Sequence, residues 1–155
     1  FIKPPEKLKP EEWEAAIALN LTSVFLCSQA VSQHMIEQKK GKIINISSVA
    51  GMRLSPSFVQ YGAAKAGVIN LTKSLAACWG KHNINVNCIA PGLTATEGVS
   101  HWLPNRTKED GTPVPALEFP PDPEHVAELA VFLASDTSAH ISGELFPIRA
   151  LSELA

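Results

Sequence analysis

The single tyrosine of this chain, Tyr61, stands in Tyr61-Gly62-Ala63-Ala64-Lys65. Four positions separate the phenol from the ammonium, a spacing that places both on one face of a helix. A free phenol ionises near pH ~10, so poising it near neutrality takes about 4 kcal/mol of phenolate stabilisation at ~1.36 kcal/mol per unit. A lysine one turn away supplies part of that stabilisation. The chemistry implied is proton transfer. Ser48, thirteen residues before Tyr61, ends the strand-like run Lys42-Ile43-Ile44-Asn45-Ile46-Ser47 and offers a hydroxyl at a strand tip.

Local patterns predict the elements that hold these residues. Pro10-Glu11-Glu12-Trp13 has the proline and acids of a helix start, and Trp13, Ile17, Leu21, Val24, Val31 and Met35 keep a helical period to about Ile36. A second helix is expected from Phe58 to Trp79 on the stripe Tyr61, Ala64, Val68, Leu71 and Leu75, with Gly80 as its stop. Strands are expected over Lys42 to Ser47, Ile84 to Ile89 and Gly143 to Ile148, with Pro147 confining the last to an edge. Asp122-Pro123-Glu124 opens a further helix carrying Val126, Leu129, Ala130 and Leu133. Half of the twelve prolines fall between Leu103 and Pro123, which marks a long loop. Strands alternating with helices imply an α/β layered fold with a parallel sheet, whose ligands bind beyond the carboxyl strand ends. Ser47-Ser48, Pro91-Gly92 and Tyr61 all belong to that edge.

Composition narrows the function classes. A chain of 155 residues, 45% hydrophobic, is long enough for one domain with a core. Its uninterrupted apolar runs are shorter than the ~18 residues of a spanning helix, and its net charge of −2 without basic clusters gives no footprint for nucleic acid or anionic lipid. Cys27, Cys78 and Cys88 lack ligand spacing and read as reduced core thiols, which fits a cytoplasmic setting. The five histidines are scattered, so no metal site is expected. Trp13 and Trp79 read as helix-packing residues, and Phe1 in place of methionine leads us to expect a missing upstream portion.

The residues resemble the short-chain dehydrogenase/reductase family over nearly the whole chain, as that family's C-terminal, catalytic part. The resemblance rests on Asn45-Ile46-Ser47-Ser48-Val49-Ala50-Gly51, Tyr61 with Lys65, Asn87-Cys88-Ile89-Ala90-Pro91-Gly92, Phe132-Leu133-Ala134-Ser135-Asp136 and Ile141-Ser142-Gly143. It implies a three-layer Rossmann-like parallel sheet, incomplete, as the C-terminal half of a doubly wound fold within one partial domain over residues 1–155. It implies an NAD(P)-dependent oxidoreductase interconverting a secondary alcohol and a ketone, similar to a 3-oxoacyl reductase, with NAD or NADP as cofactor. Tyr61 would be the general acid or base, Ser48 would bind the substrate oxygen, and Lys65 would aid the phenol and hold the nicotinamide ribose. Asn20 would complete a catalytic tetrad. Pro91, Gly92 and Leu93 would line the nicotinamide, and Thr96, or Thr94 close by, would bond its carboxamide. Val49 and Trp102 would face substrate, in part from a variable loop over residues 97–121 whose Val99, Trp102 and Leu103 form an apolar lid. The family also implies a small-molecule carbonyl or alcohol substrate and a homo-oligomer, dimer or tetramer, built through the helices near Pro10 and Phe58.

Each residue taken alone has a plainer reading. Ser48 suits a turn cap, Asn20 a polar helix position and Lys65 a snorkelling lysine; their joint spacing favours catalysis. The chain also departs from the family. No Gly-rich pyrophosphate turn and no acid or base selecting between NAD and NADP occurs in it, and Ile148-Arg149-Ala150-Leu151 replaces the usual Val-Asp-Gly-Gly type of ending. The first strand is therefore expected to have an open edge, and the alternative function is a cofactor-free scaffold acting through helix association.

Overall fold

The computed structural model describes residues 2–153. Helix α1 runs Pro10–Gln38, with a π-helical stretch at Ala18–Thr22, and is followed by β1 at Gly41–Ile46, α2 at Val59–Trp79 and β2 at Ile84–Pro91. After the long loop come α3 at Pro123–Ala134 and β3 at Leu145–Ile148. The three strands are parallel in the order β1-β2-β3, with Ile43 opposite Val86 and Cys88 opposite Leu145.

Strand alternation sends side chains to opposite faces, and the hydrogen bonds show what covers each face. Asn45 Nδ2 donates to Thr72 Oγ1 of α2 at 2.9 Å, while Ile43 and Val86 join Leu75, Ala76 and Ile84 in the buried cluster on that side. On the other face, Lys42 Nζ donates to Ser138 Oγ at 3.0 Å, and Asn87 Nδ2 donates to the Ile141 carbonyl at 2.8 Å. The turns after α3 cover that side. This is a three-layer α/β fold with an incomplete sheet.

Of the α2 stripe, Ala64, Val68 and Leu75 are buried, and Leu71 packs against the core. Pro147 lies in β3, which borders the sheet as expected, and β1 borders it on the opposite side.

Several expectations are corrected. The second helix ends at Trp79 with Gly80 after it, as expected, but the chain then continues in a 3₁₀ turn, Gly80–His82, and the left-handed residue is Asn83 at φ 57°. Lys39 plays the same part after α1 at φ 51°. Cys27 and Cys78 are exposed, and only Cys88 is buried; Cys27 stays outside because helix α1 buries small residues, Ala16, Ser28 and Ser32, and Cys78 lies on the outer side of α2. Trp13 and Val31 of the expected stripe are accordingly exposed, whereas Trp79 packs on the core. By length and composition α1 is long and apolar enough to cross a membrane, its most apolar 18-residue window reaching a mean hydropathy of 1.5, and Leu19, Phe25 and Leu26 are exposed on it. The loop has structure of its own: short 3₁₀ turns at Glu97–Trp102 and Ala116–Glu118, a Thr107–Pro113 bridge, and Arg106 stacked 4.2 Å over the buried Phe119 ring.

Candidate active site

Two glycines let the strand tip meet helix α2. Ser48 leads into the turn Val49–Gly51, and a Cβ at Gly51 would lie 2.5 Å from the Lys65 carbonyl carbon, so only glycine allows that approach. At Gly62 a Cβ would lie 2.8 Å from that of Ser55, where the same turn crosses the first part of α2. Ser47 Oγ then donates to the Lys65 carbonyl at 2.7 Å. Ser48 is thereby held beside the Tyr61 turn.

A cleft of about 990 Å³ opens at this place, and Ser48, Val49, Tyr61, Gly92, Leu93 and Trp102 all line it. Ser48 Oγ accepts from the Ala50 N–H at 3.1 Å, which leaves its O–H as a donor. Tyr61 packs edge-to-face on Phe58 with ring centroids 6.0 Å apart, and Lys65 Nζ lies 5.6 Å from the phenol ring centroid. Lys65 Nζ also donates to the Ile46 carbonyl at 3.0 Å. Burial pulls the Lys65 ammonium below the usual lysine range, against the opposing pull of Cys88. Burial likewise pushes the Cys88 thiol up.

Asn20 lies in the π-helical stretch, where its Nδ2 donates to the Ala16 carbonyl at 3.0 Å. Its face forms a second, apolar cavity of about 510 Å³ with Phe58 and Tyr61, so the tyrosine forms a wall common to both cavities. Pro91 ends β2, and the Gly92 N–H is tied to the Ile148 carbonyl at 2.8 Å. Thr96 is exposed and outside the cleft lining, whereas Thr94 Oγ1 donates to the Gly92 carbonyl at 3.2 Å. Val99 and Leu103 are also outside that lining, and of the proposed lid only Trp102 reaches it. No group of three or more metal-ligating side chains occurs among the described residues.

Two residues of the cleft escaped the sequence reading. Arg53 and Glu153 form an ion pair at 3.3 Å, and the Leu93 N–H donates to Glu153 Oε1 at 3.1 Å. The π-helical stretch under Asn20 was also unforeseen; such stretches gather at functional sites, and nothing in Ala18-Leu19-Asn20-Leu21-Thr22 signals one.

The family model described as enoyl-(acyl carrier protein) reductase matches residues 2–149. The chain belongs to the short-chain dehydrogenase/reductase family. It is 44% identical over 148 residues to a 3-oxoacyl-[acyl-carrier-protein] reductase of Synechocystis, covering 92% of this chain and 56% of that reductase. Among solved structures it resembles a 3-oxoacyl-[acyl-carrier protein] reductase of Brucella melitensis with bound NAD, at 33% identity and a TM-score of 0.78, over 94% of this chain and 53% of that one. It also resembles a 4-hydroxyisoleucine dehydrogenase complexed with NADH, at 32% identity and a TM-score of 0.81, over 97% of this chain and 63% of that one. This member of the short-chain dehydrogenase/reductase family thus spans a little over half the length of these relatives.

Proposed function

We propose that the cleft interconverts a secondary alcohol and a ketone, of the 3-oxoacyl-thioester type, with Tyr61 as the proton donor or acceptor. The observation that supports this best is the joint lining of one cleft by Ser48, Tyr61 and the Gly92-Leu93 turn. The Ser48 O–H donates to the substrate oxygen and sets it against the phenol. In reduction Tyr61 gives its proton to that oxygen, and in oxidation it takes the proton back. Lys65, held on the Ile46 carbonyl, places positive charge beside the ring as the phenolic oxygen gains negative charge.

The turn at Pro91, Gly92 and Leu93 fits a nicotinamide end, because Gly92 and Leu93 line the cleft beside Tyr61 and Gly92 presents no side chain there. The Leu93 N–H there already donates to a carboxylate in this structure. Lys65 and Thr96, or Thr94, complete the residues we assign to that group. A nicotinamide cofactor, NAD or NADP, supplies the hydride when bound. The relatives named above support that assignment. Orientation and the proton are what this chain contributes.

The reading extends to a small-molecule substrate and a cytoplasmic homo-oligomer, for which the free cysteines and the exposed Phe25 and Leu26 of α1 are the support. The scaffold alternative draws on the same apolar face. The test is Tyr61→Phe, assayed with a nicotinamide cofactor and a 3-oxoacyl thioester. Turnover should fall by about 10²–10⁴-fold with unfolding unchanged. Retained turnover would remove the mechanism.

A further inference from the structure

Among the described residues the cleft contains one ion pair, and it joins segments 100 residues apart in the chain. Arg53 follows the Ser48 turn, and Glu153 belongs to the short turn Leu151–Glu153. The guanidinium grips Glu153 with two nitrogens: Nη2 donates to Oε2 at 3.3 Å and Nη1 to the backbone carbonyl at 3.2 Å. The other carboxylate oxygen, Oε1, accepts from the Leu93 N–H and packs against Gly92. Glu153's side chain is 15% exposed and that of Arg53 41%. The carboxylate is thus drawn into the cleft wall, while the arginine stays reachable.

We propose that Arg53 is an anchor for a substrate carboxylate, and that Glu153 occupies it as a resident stand-in until an acid displaces it. The substrate class is then an oxo or hydroxy acid, or another carbonyl compound bearing a free anionic group. This keeps the alcohol–ketone chemistry proposed above and departs from the thioester type in the substrate, and it rests on the cleft being the catalytic one.

A planar guanidinium with parallel donors matches a carboxylate in shape, and here it holds one through Nη2 alone, which leaves the two-point grip for an incoming acid. The arginine is 41% exposed and meets the carboxylate through one bond at 3.3 Å, so a competing acid can reach it and open the pair. The displacement that frees Arg53 also frees the Leu93 N–H and uncovers Gly92, the turn assigned to the nicotinamide end. Substrate anion and cofactor therefore favour the same open arrangement, and Glu153 opposes both.

The experiment titrates succinate into the ¹⁵N-labelled chain without cofactor and follows the Leu93 amide. The native protein should bind weakly, because the tethered carboxylate competes. Glu153→Ala should bind succinate at least tenfold more tightly, and Glu153→Gln, which keeps the side-chain shape, should also bind more tightly than the native protein. Adding Arg53→Met to Glu153→Ala should lose that gain, and dimethyl succinate should not bind. Equal affinity in the native protein and both Glu153 variants would overturn the proposal, as would affinity indifferent to Arg53→Met or shared by the diester. Turnover of Tyr61→Phe is read separately from succinate binding by the Glu153 and Arg53 variants, so failure of the subsite and failure of the redox reading are separate results.

Discussion

At the residue scale, Lys65 binds the site together and carries the clearest cost. Its ammonium holds the Ile46 carbonyl, its own carbonyl receives Ser47 Oγ, and burial depresses its pKa. Because the folded value lies below the unfolded one, the unfolded chain keeps this proton over a window in which the folded chain releases it. Stability from this group therefore rises with pH through that window, and the burial cost stands in full below it. Lys65→Met removes the titration. The stability difference between the native protein and this variant should move in favour of the native protein as pH is raised from neutrality toward the ordinary lysine range. Urea melts across that range measure it, and a difference independent of pH would reject the account. Tyr61, Lys65 and Ser48 were legible as a group because their spacing is local. Arg53 and Glu153 were not, since the partners stand 100 residues apart and neither lies in a patterned segment.

At the element scale, periodicity located all three strands and three main helices, because Ala64, Val68 and Leu75 on α2 or Ile43 and Val86 on the sheet write their burial into short-range pattern. What turns the chain after the helix was less legible. Gly80 stops α2 as expected, at φ −56°, and the left-handed residue that turns the chain is Asn83 at φ 57°. Asparagine tolerates that conformation at low cost, so one more 3₁₀ turn, Gly80–His82, fits before β2. Asn83→Val should destabilise the fold by about 1–2 kcal/mol, the usual cost of a left-handed residue with a branched side chain. Asn83→Gly should be close to neutral, and chemical denaturation separates the two. A valine variant as stable as the native chain would show that β2 does not depend on this turn.

At the scale of the whole molecule, the sheet is open where α/β sheets are ordinarily covered. Strand β1 pairs only with β2 among the described residues, and its outer edge borders a groove of about 520 Å³ shared with α1. Val24, Cys27, Val31 and Ile44 line that groove, so an unpaired backbone edge lies beside apolar side chains, a template for further strand pairing. Cys27 reports on it directly, because it is exposed and free in this structure. Cys78, also exposed and free, lies on α2 outside the groove lining and serves as the internal reference, while buried Cys88 should react slowly. If the edge pairs with a second strand, alkylation of Cys27 should slow as protein concentration rises, and alkylation of Cys78 should not. Ile44→Lys places a charge at the groove and should restore fast Cys27 labelling at high concentration. Peptide-resolved mass spectrometry of pulse-alkylated protein reads all three thiols at once. Concentration-independent labelling of Cys27 would mean that the β1 edge stays unpaired in solution, with the helix beside it as its sole cover.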